Sequence, residues 1–153
     1  MVSRRWWYWL FVVGLVLALP QGPALGKMRG FKKNSEAIQI QLKVQSITKE
    51  NFFLGDVWVA PDKFTDVQIG TEYVGYARAV GFDRMEKQVE ISPNWQPGDP
   101  AMVEVNPTKG HSVKITVLKA GQSDLTVSVG RIAKVLQINA TYSDGAMQVE
   151  ISQ

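Results

Sequence analysis

Residues 113–129 constrain the fold more than any other stretch. Val113, Ile115 and Val117 alternate with Lys114 and Thr116, and Leu125, Val127 and Val129 alternate with Thr126 and Ser128. Successive side chains of a strand point to opposite faces, so each run collects its apolar groups on one side. Ala120-Gly121-Gln122-Ser123 between the runs favours a turn, and Gly121 can take a positive φ without strain. The pattern predicts two half-buried strands joined by a short connection. Such an open pair, apolar on one face, needs a second sheet to cover it.

The other strands follow from the same alternation. Ile38, Ile40, Leu42 and Val44 alternate with Gln39, Gln41, Lys43 and Gln45, the cleanest period of two in the chain. This strand either joins an edge of the main sheet or pairs elsewhere, because left open it would be an association site. Residues 48–56 read as a connection, with Phe52, Phe53 and Leu54 packed against the end of the domain. Val57-Trp58-Val59-Ala60-Pro61 reads as a short strand stopped by proline, which cannot donate to a ladder. Val67-Gln68-Ile69-Gly70 is another short piece. Residues 73–80 put Tyr73, Gly75, Ala77 and Ala79 on one face. Further strands are expected at 88–91, 102–105, 135–142 and 147–152, the last two joined by the tight-turn dipeptide Asp144-Gly145. These come to roughly eight or nine short strands with turn residues between them, and no segment after residue 26 repeats apolar groups at helical spacing. The fold class is therefore all-β. A two-sheet sandwich is favoured over a barrel by the short strands and frequent proline and glycine breaks.

The first 26 residues read differently. Arg4 and Arg5 precede an uncharged apolar run from Trp6 to Leu19. Pro20, Gly22 and Pro23 break it, and Ala24-Leu25-Gly26 supplies small residues at a cleavage site. At about 14 residues the run is short of the ~20 needed to span a bilayer. The expectation is a helical signal peptide over 1–26, an extension with one strand over 27–54, and the sandwich domain over 55–153. The protein is thus expected to be secreted or held in the cell envelope, with no membrane span after cleavage. The chain has 153 residues and no cysteine, which excludes disulfides, thiolate metal sites, a cysteine nucleophile and a lipidated cysteine. The 17 basic residues fall to 15 when Arg4 and Arg5 leave with the leader, against 14 acidic ones. A net charge of about +1 is too weak for a nucleic-acid footprint.

Residues 55–153 resemble a bacterial immunoglobulin-like domain of group 2. Val57-Trp58-Val59-Ala60-Pro61, the Val67-Gln68-Ile69-Gly70 step and Tyr73, Ala77 and Ala79 before Gly81-Phe82-Asp83 are similar to its opening. Ser92-Pro93-Asn94-Trp95 resembles its third-strand tryptophan segment. Asp99-Pro100-Ala101 with Val103 and Val105, then Ile115-Thr116-Val117-Leu118-Lys119-Ala120-Gly121 with Leu125-Thr126-Val127, resemble its closing motif. The strand at 38–44 and the hairpin strand after Gly145 are additions to that pattern. The resemblance implies an extracytoplasmic immunoglobulin-like sandwich with a structural or adhesive role. It implies no catalytic residue.

No residue pattern announces a reaction. His111, the single histidine, follows Gly110 in a loop and has no serine or paired acid near it in sequence, so it reads as solvated. Asp62, Asp66, Asp83, Glu86, Asp99, Asp124 and Asp144 lie in loops without the clustering calcium requires. Lys109, Lys114, Lys119, Arg131 and Lys134 are interspersed with acids and read as a solvated surface. Trp95 reads as a plug between the sheets. Trp58 and Tyr76 are the candidate binding surface. The expected function is that of a non-catalytic module with no cofactor or metal, monomeric or weakly associating. Its expected partner is a protein or a cell-surface polysaccharide. The alternatives are a carbohydrate-binding module, supported by an outward row of aromatics on one sheet, and a strand-exchanging subunit that donates residues 38–44 to a neighbour.

Overall fold

The computed structural model describes residues 35–47 and 53–153. The expected leader, the segment 27–33 and residues 48–52 lie outside the described residues. The described chain forms β1 (Ala37–Ile47), β2 (Phe53–Val59), β3 (Lys63–Ile69), β4 (Tyr73–Phe82), β5 (Gln88–Val89), β6 (Asn94–Pro97), β7 (Val103–Asn106), β8 (Ser112–Val117), β9 (Gly121–Val129), β10 (Ile132–Ser143) and β11 (Ala146–Ser152). One sheet has the order β2-β1-β4-β8-β7, with β5 added to β4, and the other the order β3-β11-β10-β9-β6. Every pairing is antiparallel. The described part of the protein is a two-layer all-β structure.

The strands at 113–117 and 125–129 do not pair with each other, contrary to the sequence expectation. Strand β8 lies in the first sheet with both edges filled, by β4 and by β7. Strand β9 lies in the second, paired with β10 and β6. The short connection crosses between the layers. The Leu118 amide donates to the Met102 carbonyl at 2.8 Å, and Gly121 takes φ +147 with Met102 Sδ 3.3 Å from where a Cβ would stand. The two apolar faces thus meet across the core instead of lying side by side. Two smaller expectations also shift. Residues 53–56 belong to β2 and are not a loop, and the strand expected at 88–91 is hydrogen-bonded only at Gln88 and Val89.

The strand at 38–44 pairs within the chain, between β2 and β4. Its alternation then places Ile38, Ile40 and Leu42 in the core with Tyr73, Ala77, Ala79, Val113, Ile115 and Val117. From the other layer come Leu125, Val127, Leu136, Ile138, Ala140, Met147, Val149 and Ile151. Each fully buried aliphatic contributes roughly 1.5–3 kcal/mol, so these faces hold the layers together. Trp95 sits among them, 2% exposed. Its indole N–H donates to the Gly110 carbonyl at 2.9 Å, which satisfies the one polar atom that such burial would otherwise strand.

Two glutamine carboxamides bind strands that do not pair. Gln68 of β3 both donates to the Val74 carbonyl at 2.8 Å and accepts from the Val74 amide at 2.9 Å, joining the edge of one sheet to β4 of the other. Gln153 donates to the carbonyls of Ile40 at 3.1 Å and Pro61 at 2.9 Å. Each gives buried or edge carbonyls a partner that no ladder supplies.

Candidate functional site

The register of the first sheet builds a row on its outer face. Trp58 of β2 stands opposite Lys43 of β1. The β1–β4 pairing runs to Leu42 opposite Ala77, and one further step sets Lys43 beside Tyr76. Tyr76 stands opposite Lys114 of β8, and Lys114 opposite Asn106 of β7. Leu42, Ala77 and Val113 point into the core, so by the period of two their neighbours Lys43, Tyr76 and Lys114 point to solvent. The result is an aromatic, a cation, an aromatic and a cation in sequence across four strands. Trp58 and Tyr76 stand two strands apart, roughly 10 Å at normal strand spacing.

Two cations lie on the two rings. Lys43 Nζ is 5.5 Å from the centre of the Tyr76 ring. The Arg78 guanidinium carbon is 4.6 Å from the centre of the Trp58 ring. Both distances are those of cation–π contacts, worth about 0.5–1 kcal/mol each at a surface. Lys43 also forms an ion pair with Asp56. Arg78 Nε–H donates to Gln41 Oε1 at 2.6 Å, and the Gln41 amide donates in turn to Gln39 at 3.0 Å. Lys43, Trp58, Tyr76, Ser112 and Val113 line a shallow open depression of about 190 Å³ beside this network.

The two residues singled out in the sequence are therefore on one face. Tyr76 is 48% exposed, while Trp58 is half-buried beneath Arg78. Val57 on the other side of β2 is also 43% exposed, because β2 is the outermost strand of its sheet. Sequence reasoning missed Arg78, Gln41 and Lys43. Arg78 was within reach, since it lies two residues beyond Tyr76 and so on the same face of a strand. Lys43 was not, because its place depends on which strands β1 joins.

The other sequence candidates are scattered. Trp95 is inside. His111 is exposed, and its carbonyl accepts from the Ala79 amide at 2.9 Å. Asp83 accepts the Met85 and Lys87 amides at 2.9 and 3.0 Å and shapes the turn between β4 and β5. Asp144 and Gly145 take φ of 52° and 77° in the β10–β11 turn. Lys119 pairs with Asp99 at 3.6 Å, while Lys114 is in the first sheet and Lys134 in the second, so the basic residues form no single patch. Among the described residues no group of three or more histidine or carboxylate side chains is placed to hold a metal ion.

Two larger hollows lie elsewhere. One, about 680 Å³, runs between β3 and β4 and contains Asp66 and Tyr73. Burial, then the charge of Asp66 and a hydrogen bond to its carboxylate, push the Tyr73 hydroxyl well above the usual tyrosine range. That hydroxyl is a donor held to a carboxylate, with no tendency to ionise. The other, about 1260 Å³, is lined by Glu36, Glu90, Ile91, Arg131 and Ile132 among others, and Arg84 Nε already engages Glu36 at 3.0 Å. Compared with known proteins, the chain matches no family model, no curated protein and no solved structure.

Proposed function

We propose that this chain is an exported, non-catalytic immunoglobulin-like module that binds through the outer face of its first sheet, with a structural or adhesive role in the bacterial cell envelope or exterior. The carrying observation is the outward row of Trp58, Lys43, Tyr76 and Lys114 across adjacent strands. A row of this kind offers flat apolar rings and fixed charges on a rigid sheet, at little entropic cost on binding.

Two features support the immunoglobulin-like part of the reading. The trio β4-β8-β7 in one layer and the trio β6-β9-β10 in the other occupy the places of the B-E-D and C-F-G strands of that architecture. Trp95 fills the core from the strand corresponding to C. Strand β11, between β10 and β3, and strand β1, between β2 and β4, are the additions to that pattern. The leader at 1–26 supports export.

The carbohydrate-binding alternative has a specific observation in its favour: two outward aromatics on one sheet, flanked by hydrogen-bonding groups. Strand exchange through residues 38–44 has less to recommend it, since β1 already pairs within the chain, with β4 over 37–42 and with β2 over 42–47.

The test is retention of the purified full-length protein on isolated cell-envelope fractions. The Trp58→Ala/Tyr76→Ala double variant is expected to lose about tenfold in retention while staying folded, with its thermal transition lowered by only several degrees. Wild-type retention by that variant would remove the outer face from the proposal.

A further inference from the structure

We infer that the ligand of this face is an acidic polysaccharide whose uronic-acid carboxylate is received by Arg78, with its sugar ring seated beside Tyr76. This rests on the binding-module reading and names its ligand class.

The argument begins with how Arg78 is held. A guanidinium on a solvated sheet face normally samples many rotamers, and ordering it costs up to ~2 kcal/mol. Here the guanidinium carbon lies 4.6 Å from the centre of the Trp58 ring and Nε–H is fixed on Gln41 at 2.6 Å. Gln41 is fixed in turn by Gln39. The two contacts hold the group from two sides. No carboxylate among the described residues pairs with it, and its terminal Nη groups have no protein acceptor there. The stacked ring and the single bond to Nε leave the Nη edge as the available one. A planar fork held in this way matches a carboxylate by two parallel hydrogen bonds.

The surroundings select among anions. Lys43 is neutralised by Asp56 and so contributes its stem and its contact with Tyr76, with little net charge. Lys114, exposed beside Tyr76, has no ion-pair partner among the described residues. Two unpaired cations thus flank one accessible ring. A nucleic acid would ask for a denser row of cations. A charged peptide side chain would use Arg78 but not the half-exposed ring of Tyr76 and the open depression beside it. A pyranose ring uses all three. Its C–H face lies on an aromatic, its hydroxyls meet Ser112, which stands opposite Arg78 in β8, and its carboxylate meets the fork. The row of alternating groups continues across neighbouring strands, which suits a repeating chain better than a free monosaccharide.

The experiment is affinity electrophoresis of the purified full-length protein in native gels containing polygalacturonate, dextran sulfate or neutral dextran. Polygalacturonate is expected to retard the wild-type protein, neutral dextran is not, and the retardation should weaken as salt rises. Arg78→Gln should weaken it about tenfold, the scale of a lost charge-assisted hydrogen bond. Arg78→Lys, which keeps the charge and loses the fork, should remain several-fold weaker than wild type. Lys114→Gln, a change at a solvated position, should cost about threefold and serves if the Arg78 variants unfold. Equal retardation by neutral dextran, stronger retardation by dextran sulfate than by polygalacturonate, or no change in Arg78→Gln would each overturn the inference. Loss of envelope retention in Trp58→Ala/Tyr76→Ala without polygalacturonate binding would leave the binding module standing and reject its acidic ligand, a protein partner included. Loss of neither rejects both.

Discussion

Trp95 and Trp58 are the same side chain put to opposite uses. Trp95 is enclosed on all sides by apolar groups from both layers, and its N–H is met by a carbonyl. Trp58 lies on the outer face of the outermost strand of the first sheet, covered on one side by a guanidinium. Both lie within a few residues of a proline, Trp58 between Val57 and Val59 and Trp95 between Asn94 and Gln96. The difference is the face of the sheet, since both strands are outermost in their layers. Trp95 of β6 points into the core between the layers, while Trp58 of β2 points away from it beside Lys43. A large aromatic ring is therefore structural where two layers face it and available where only one does. The outer faces repeat the contrast. The outer face of the second sheet presents Thr126, Ser128, Gln137, Thr141 and Gln148 with Asp124 and the Lys63–Glu150 ion pair, whereas the first presents the aromatic and cationic row.

Substitutions can break this comparison. Trp95→Ala should lose about 3–5 kcal/mol of stability, measured by denaturant unfolding, since it empties the centre of the core and orphans the Gly110 carbonyl. A loss under about 1 kcal/mol would mean that the ring is not the filling it is taken for.

The next-largest effect concerns the buried edge near β3. The folded state holds the Tyr73 hydroxyl protonated above its ordinary value, so the unfolded chain releases that proton first. Stability is then full below pH 10.0, the ordinary tyrosine value, and falls as pH rises beyond it. Tyr73→Phe should flatten that alkaline decline, read as melting temperature against pH. An unchanged slope would place the ionisation elsewhere.

Trp58→Ala should cost only about 1 kcal/mol, the scale of its cation–π contact and partial burial. A cost as large as that of Trp95→Ala would erase the distinction between the two tryptophans. Smallest of all, Asp56→Asn should change stability by about 0–1 kcal/mol, as expected for a partly exposed ion pair with Lys43. Its useful readout is binding: freeing the Lys43 charge should strengthen retention on an acidic matrix.

The inner faces of β1, β4, β8, β10 and β11 were legible from alternation alone, because burial on one side imposes a period of two on any strand. Alternation does not reveal a strand's partners. The 113–129 stretch shows this most clearly: two runs separated by a turn looked adjacent, yet each already had neighbours on both edges and the connection crossed the core. The same limit governed the site. Trp58 and Tyr76 were recognisable as ring-bearing residues of uncertain exposure. That they stand in one row depends on β1 lying between their strands, a pairing between segments far apart in sequence. Arg78 was hidden for a different reason, since nothing local distinguishes a stacked arginine from a solvated one.

The interposed β1 also decides what must travel together. A polypeptide starting at Gly55 would keep both rings but lack Lys43 and Gln41, would leave β2 with no partner, and would bare the amide edge of β4. The outer face is therefore completed by residues that precede the segment 55–153, and transplanting the later strands onto another carrier would move the rings and Arg78 while leaving behind the two side chains that hold them in place.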